Sequence, residues 1–229
     1  MDDITRNLAE VRARIAAAAA HAGRDPATIT LLAVSKLQPV AALEAAWAQG
    51  QRDFGESYVQ EAKPKLAAFA GRAAVWHFIG ALQSNKSREV AEHFQWMHGL
   101  DRESLARRLS EQRPAALAPL QVCLQVNVSN ESSKGGVMPE RIPELAAAVA
   151  GLPGLMLRGL MAIPAPAQDF EAQRKPFRLM RELLADLQQR GHVVDTLSMG
   201  MSEDLEAAVA EGSTILRVGT AIFGSRRSK

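Results

Sequence analysis

The sequence predicts an α/β fold, a (β/α)8 barrel, and three observations carry that reading. Eight short strand-like runs alternate with helix-like stretches, as in a parallel sheet with helical crossovers. The chain has 229 residues, close to the roughly 250 typical of such a barrel. No stretch is long and polar enough to be a linker, and nothing repeats beyond the alternation. An open doubly wound sheet is the alternative architecture.

The elements follow in order. Residues 1–23 place Ile4, Leu8, Val11 and Ile15 at helical spacing. Asp2 and Asp3 open the segment and alanine dominates its apolar face, so an amphipathic helix is expected rather than a signal peptide. This extra helix precedes the first strand and is expected to cover the bottom of the barrel. Pro26 breaks the chain before the strand at 29–35. Further strands are expected at 52–56, 74–80, 95–100, 120–128, 155–161, 195–200 and 214–219. Helices are expected near 39–49, 57–70, 84–93, 102–112, 139–150, 169–190 and 203–211. Gly50 and Gly212 stand where helices should stop. Asp101 and Ser202 are expected to cap the helices that follow them. The segment 163–170, with two prolines, reads as a loop.

Composition excludes several classes. The formal net charge is +2 with charges of both signs interspersed. No basic run is interleaved with aromatics, so no nucleic-acid partner is expected. No apolar run reaches 18 residues, so no membrane span is expected. The single cysteine, Cys123, lies in an apolar strand and reads as a buried structural thiol. It forbids an intrachain disulfide, which is compatible with the cytoplasm. The chain is expected to work there as a monomer.

In such barrels, functional groups sit at the carboxyl ends of the strands. Lys36, Glu56, Ser57, Gly80, Asn127, Met161, the run 198–202, Arg217, Gly219 and Thr220 gather there on this reading. The loops after strands seven and eight are the usual phosphate site of the fold. Gly219 and Thr220 suit it, whereas Glu203 and Asp204 would repel an anion unless they face away. Plain tight turns are the alternative. Lys36 ends an apolar strand. Apolar walls would lower its pKa and free an amine for Schiff-base chemistry, and an aldehyde with a phosphate would use both features. From the residues alone, a side chain reaching to solvent is the favoured alternative.

Other motifs are weaker. GALQSNKS (80–87) has Asn85 where a P-loop needs its second glycine. GMSED (200–204) lacks the second glycine of a nucleophile elbow. None of the five histidines has metal-ligand spacing, and His77 reads as a core or supporting group.

Six stretches together are more specific: LLAVSK (31–36), FGESYVQEAKPK (54–65), WHFIGALQSNKSREV (76–90), LQVNVS (124–129), LRGLMAIP (157–164) and the run from Leu197 to Gly224. Through them the chain resembles the pyridoxal phosphate homeostasis proteins, relatives of the N-terminal barrel of alanine racemase. The resemblance runs nearly end to end. It implies one barrel over residues 1–229 with pyridoxal 5'-phosphate bound as a Schiff base on Lys36. It implies Ser202, Gly219 and Thr220 at the phosphate, Ile79 and Met199 near the ring, and Arg217 facing the pyridine nitrogen. Ser57 stands where the family has an asparagine near the cofactor, and Ala81 where it often has proline. A guanidinium cannot accept a hydrogen bond, so Arg217 keeps the ring nitrogen unprotonated and the ring a poor electron sink. Racemase relatives add a second domain with a tyrosine base, and the only tyrosine here is Tyr58. The implied function is to hold the cofactor and release it to apo-enzymes that need it. A weak pyridoxal phosphate-dependent amino-acid racemase and a Schiff-base aldolase are the alternatives. Lys134 is weighed as a second amine near the mouth, with a solvated loop lysine preferred.

Overall fold

A computed structural model describes residues 2–129 and 135–224; Lys134 lies outside them. Eight parallel strands close into a barrel: β1 (Thr30–Val34), β2 (Asp53–Glu56), β3 (Val75–Phe78), β4 (Trp96–Leu100), β5 (Leu120–Gln125), β6 (Leu155–Met161), β7 (Thr196–Ser198) and β8 (Ile215–Val218). Pairing of Thr30–Ala33 with Ile215–Val218 closes the ring and rules out the open sheet. Every strand lies within its expected range.

The helices are α1 (Asp2–His21), α2 (Val40–Ala48), α3 (Val59–Ala68), α4 (Ser87–His93), α5 (Glu103–Gln112), α6 (Ile142–Ala150), α7 (Phe170–Gln189), α8 (Leu205–Ala210) and the one-turn α9 (Thr220–Phe223). Gly50 and Gly212 follow α2 and α8 with φ of 80° and 95°, the left-handed conformation that glycine adopts without a Cβ penalty. Neither expected cap holds. Arg102, not Asp101, precedes α5, and the Asp101 carboxylate instead takes the Arg102 guanidinium at 2.7 Å. Asp204, not Ser202, precedes α8.

The pleat sorts side chains into two cores. Between barrel and helices lies the larger one, which includes Phe54, Phe78, Met97, Leu124, Leu160 and Leu216. Inside the barrel Leu32, Trp96, Cys123, Met161 and Ile215 pack together, with Val75 and Ile79 against them. Burial pushes the Cys123 thiol up to about 12, so it stays protonated and inert, as expected.

The position of α1 differs from expectation. It packs beside α8 and α9 on one side and α2 on the other, within the outer ring rather than beneath the barrel. Among the described residues the segment after β8 holds the four-residue α9, and α1 packs over α8 and α9 on that side of the barrel. Leu8, Val11 and Ile15 make its buried stripe. From it Asn7 donates to the Ile222 carbonyl at 2.9 Å, and Arg14 donates to the Ser202 carbonyl at 3.0 Å. The helix thus braces the turns after β7 and β8.

Candidate functional site

Strand β1 carries Leu32, Val34 and Lys36 on the inner face by simple alternation. Lys36 sits one residue past the strand's rim and lines a cavity of about 470 Å³ at the carboxyl ends of the strands. The next residue, Leu37, has φ of 63°. Its backbone N–H donates to the Glu61 carboxylate of α3, which holds the chain in that turn.

The same cavity is lined by Ile79, Met201, Ser202, Arg217, Gly219 and Thr220. Proline-rich residues 163–167 and Gln173 complete the opposite wall. Six of the eight sequence-chosen residues therefore meet: Lys36, Ile79, Ser202, Arg217, Gly219 and Thr220. Two do not line the cavity. Met199 is fully buried in the outer core, because the pleat points it away from the barrel axis while Ser198 points in. Met201 takes the lining position instead. Ser57 is outside the lining, and its backbone lies against Gly80, where a Cβ would come within 2.4 Å of the Ser57 carbonyl oxygen.

Glu56 also turns away from the strand ends. Its carboxylate is fully buried on the outer side of β2, where it accepts from Ser35 Oγ at 2.5 Å and from Lys65 Nζ at 2.9 Å. Burial raises its pKa, opposed by Lys65 and Ser35.

Arg217 is 4% exposed and held from three sides. Nη1 donates to the Ser198 carbonyl at 2.5 Å and to Ser198 Oγ at 2.8 Å, and Nη2 donates to the Ala162 carbonyl at 2.8 Å. Burial lowers its pKa to about 10, opposed by the Asp204 carboxylate, so it remains a cation at neutral pH. Ser202 Oγ accepts the Ala221 N–H at 3.4 Å and ties the β7 turn to the start of α9. Asp204 folds back onto its own turn, accepting the Met201 N–H at 2.6 Å. Burial raises its pKa, with that N–H and Arg217 opposing. Its charge is thereby spent locally, although the residue still lines the cavity.

Among the described residues no group of three His, Cys, Asp or Glu side chains can hold a metal. An amine, a fixed guanidinium and two hydroxyls beside a glycine turn face one partly apolar space. This donor set fits a flat, phosphorylated aldehyde. A Cβ on Gly219 would meet Val34 at 3.3 Å, so the turn lies close against β1.

The comparisons agree with the geometry. A sequence model of the alanine racemase N-terminal domain matches residues 6–227. The pyridoxal phosphate homeostasis proteins of Pseudomonas aeruginosa and Escherichia coli are 60% and 55% identical. These alignments cover 99% of this chain and 97% and 98% of the relatives. Among solved structures, PipY of Synechococcus elongatus with PLP bound is 36% identical at a TM-score of 0.84, covering 96% of this chain and 100% of that one. An alanine racemase from Corynebacterium glutamicum is 16% identical at a TM-score of 0.73, and that likeness bears on the fold alone. It covers all of this chain and 62% of the racemase chain. The protein is a barrel of the alanine racemase N-terminal domain class. Within that class, the chain belongs to the pyridoxal phosphate homeostasis protein family.

Sequence reasoning missed the buried supports. The sequence reads His77 as a core or supporting group but does not connect it to Asp53 and His98, or through His98 to Ser198. The signal was available in strand alternation: His77 lies two residues before Ile79, and His98 two after Trp96, all on the inner face.

Proposed function

We propose that the protein binds pyridoxal 5'-phosphate and serves its homeostasis, holding the cofactor covalently on Lys36 and releasing it to apo-enzymes. The observation that carries this reading is the convergence of Lys36 and Arg217 on one cavity, with the Ser202 and Thr220 hydroxyls on its rim. When bound, the cofactor supplies an aldehyde for an amine to condense with and a ring that can withdraw electrons.

The chain's own residues restrain that chemistry. Lys36 holds the cofactor at the strand end, and Ile79 and Met201 give the ring apolar walls. Ser202, Gly219 and Thr220 receive the phosphate. Arg217 offers only N–H donors toward the ring nitrogen and keeps a proton off it. Whole-chain binding over residues 1–229 by a monomer in the cytoplasm is part of the same proposal. A carrier suits this site better than a racemase: Tyr58 is 59% exposed and outside the cavity lining.

The test is spectroscopic. Wild-type protein given pyridoxal phosphate should gain a visible band, and borohydride should fix the label on the peptide containing Lys36. Lys36→Ala should give neither. A wild-type protein that gains no band, or a label on another lysine, refutes the assignment.

A further inference from the structure

A single file of hydrogen bonds crosses the barrel interior behind Arg217. Arg217 Nη1 donates to Ser198 Oγ at 2.8 Å. Ser198 Oγ lies 2.8 Å from His98 Nδ1, His98 Nε2 lies 2.9 Å from His77 Nδ1, and His77 Nε2 lies 3.0 Å from Asp53 Oδ1. Ser198 is fully buried, and both imidazoles are at most 1% exposed. At its far end Asp53 lines a recess of about 400 Å³ with Arg12, Gln51 and Arg52, at the amino ends of the strands. The file therefore joins two recesses at opposite ends of the barrel.

Its polarity is fixed by its ends. A guanidinium only donates and a carboxylate only accepts. With neutral imidazoles, the only arrangement that satisfies every member runs one way. Ser198 O–H donates to His98 Nδ1, His98 Nε2–H to His77 Nδ1, and His77 Nε2–H to Asp53.

We propose that this file is a positioning device, in which Ser198 and His98, set by His77 and Asp53, fix the orientation and hydrogen bonding of Arg217 toward the cavity. Its consequence for the cofactor rests on the functional reading above; the file itself does not.

One added proton shows what the arrangement resists. On His77 it would set two N–H groups against each other at the His77–His98 contact. Relief requires His98 to carry its proton on Nδ1, and the buried Ser198 hydroxyl hydrogen then loses its acceptor, at the cost of a buried unsatisfied donor. The surrounding charges do not offset this. Among the described residues Asp53 is the carboxylate hydrogen-bonded within the file, and Arg217 is the cation at its other end. Arg158 of β6 lies over the Trp96 ring but is paired with Asp195, the residue before β7. Asp204 faces Arg217 from the β7 turn, and the Cys123 thiol is neutral. Burial lowers the pKa of both histidines. Asp53 opposes this at His77, whereas His77 and Arg217 add to it at His98.

The first test needs no cofactor. Protein labelled with 15N at its five histidines is followed by long-range proton–nitrogen spectra from pH 5 to 9. His77 and His98 should both stay neutral with the proton on Nε2. A His98 proton on Nδ1, or a His98 cation above pH 6, overturns the proposal. The second test uses loaded protein. Ser198→Ala should move the midpoint of the pH titration of the visible band by about one unit or more, and Ser198→Thr should restore it. An unmoved midpoint in Ser198→Ala also overturns the proposal, because a merely structural serine would alter stability but not that midpoint. A wild-type protein that takes up no cofactor overturns the functional reading instead, and the histidine spectra still decide the file.

Discussion

The Lys65 ammonium lies 2.9 and 3.1 Å from the two oxygens of the Glu56 carboxylate, with Lys65 3% and Glu56 0% exposed. Lys65 also donates to the Ser35 carbonyl at 2.8 Å and to Glu61 at 2.9 Å. The cluster sits directly behind the strand end that carries Lys36 and links β1, β2 and α3.

Removing one partner of a buried pair strands the other charge, at a cost of about 3–5 kcal/mol. Lys65→Met should therefore lower the unfolding free energy at neutral pH by that amount, read by urea denaturation. The pH dependence has a definite sign. Burial raises the folded pKa of Glu56 above its unfolded value. Glu56 thus favours folding below its unfolded pKa, and the benefit is lost as pH rises through its folded pKa. Lys65 limits that loss by lowering the folded pKa. Without it the folded pKa climbs further. The deficit of Lys65→Met should shrink in acid as Glu56 protonates and grow toward neutrality. A deficit constant from pH 4 to 8 would contradict the role assigned to the pair.

Leu37 adopts φ of 63° although its side chain is 57% exposed. A left-handed conformation costs a non-glycine residue roughly 1–2 kcal/mol, and little packing repays it here. The Glu61 carboxylate holds the turn through the Leu37 N–H. Leu37→Gly removes the steric cost and adds unfolded-state entropy worth roughly 0.5–1 kcal/mol. Stability should be unchanged or raised by up to about 1 kcal/mol. The turn beside Lys36 is less constrained in that variant, so bound cofactor should dialyse away faster. Slower loss than wild type would show that the turn does not position Lys36.

The barrel was legible because its strands are short and apolar and helices such as α5 and α7 have a clear polar face. Pattern alone placed Lys36, Arg217 and Gly219 at the strand ends, since strand period and chain order fix which end a residue occupies. Their common role needed the family resemblance. Errors came where one residue of register decides a face. Met199 and Glu56 point outward because their neighbours Ser198 and Gly55 point inward. The Asp101 and Ser202 caps failed for a local reason: α5 begins one residue, and α8 two residues, later than capping by those residues requires. Lys65 was invisible as a buried ion because a lysine on a helix usually faces water. Only the tertiary approach of α3 to β1 and β2 closes around it.

Gly200 joins the site to the outer core, and its substitution tests that junction. Its φ is 92°, and a Cβ there would lie 2.5 Å from Ala208 Cβ and 2.8 Å from Leu216 Cδ2. Its carbonyl accepts the Arg217 backbone N–H at 3.0 Å. Gly200→Ala therefore combines a left-handed alanine with overpacking between β8 and α8. Each effect costs about 1–3 kcal/mol, so the loss should reach at least about 2 kcal/mol by chemical denaturation. The strain falls on the turn that carries Met201 and Ser202, which line the cavity. Cofactor affinity should drop with stability, whereas Gly50→Ala, at a positive φ with open space around it, should lower stability alone. Equal affinity in the Gly200 and Gly50 variants would separate the turn from the binding site.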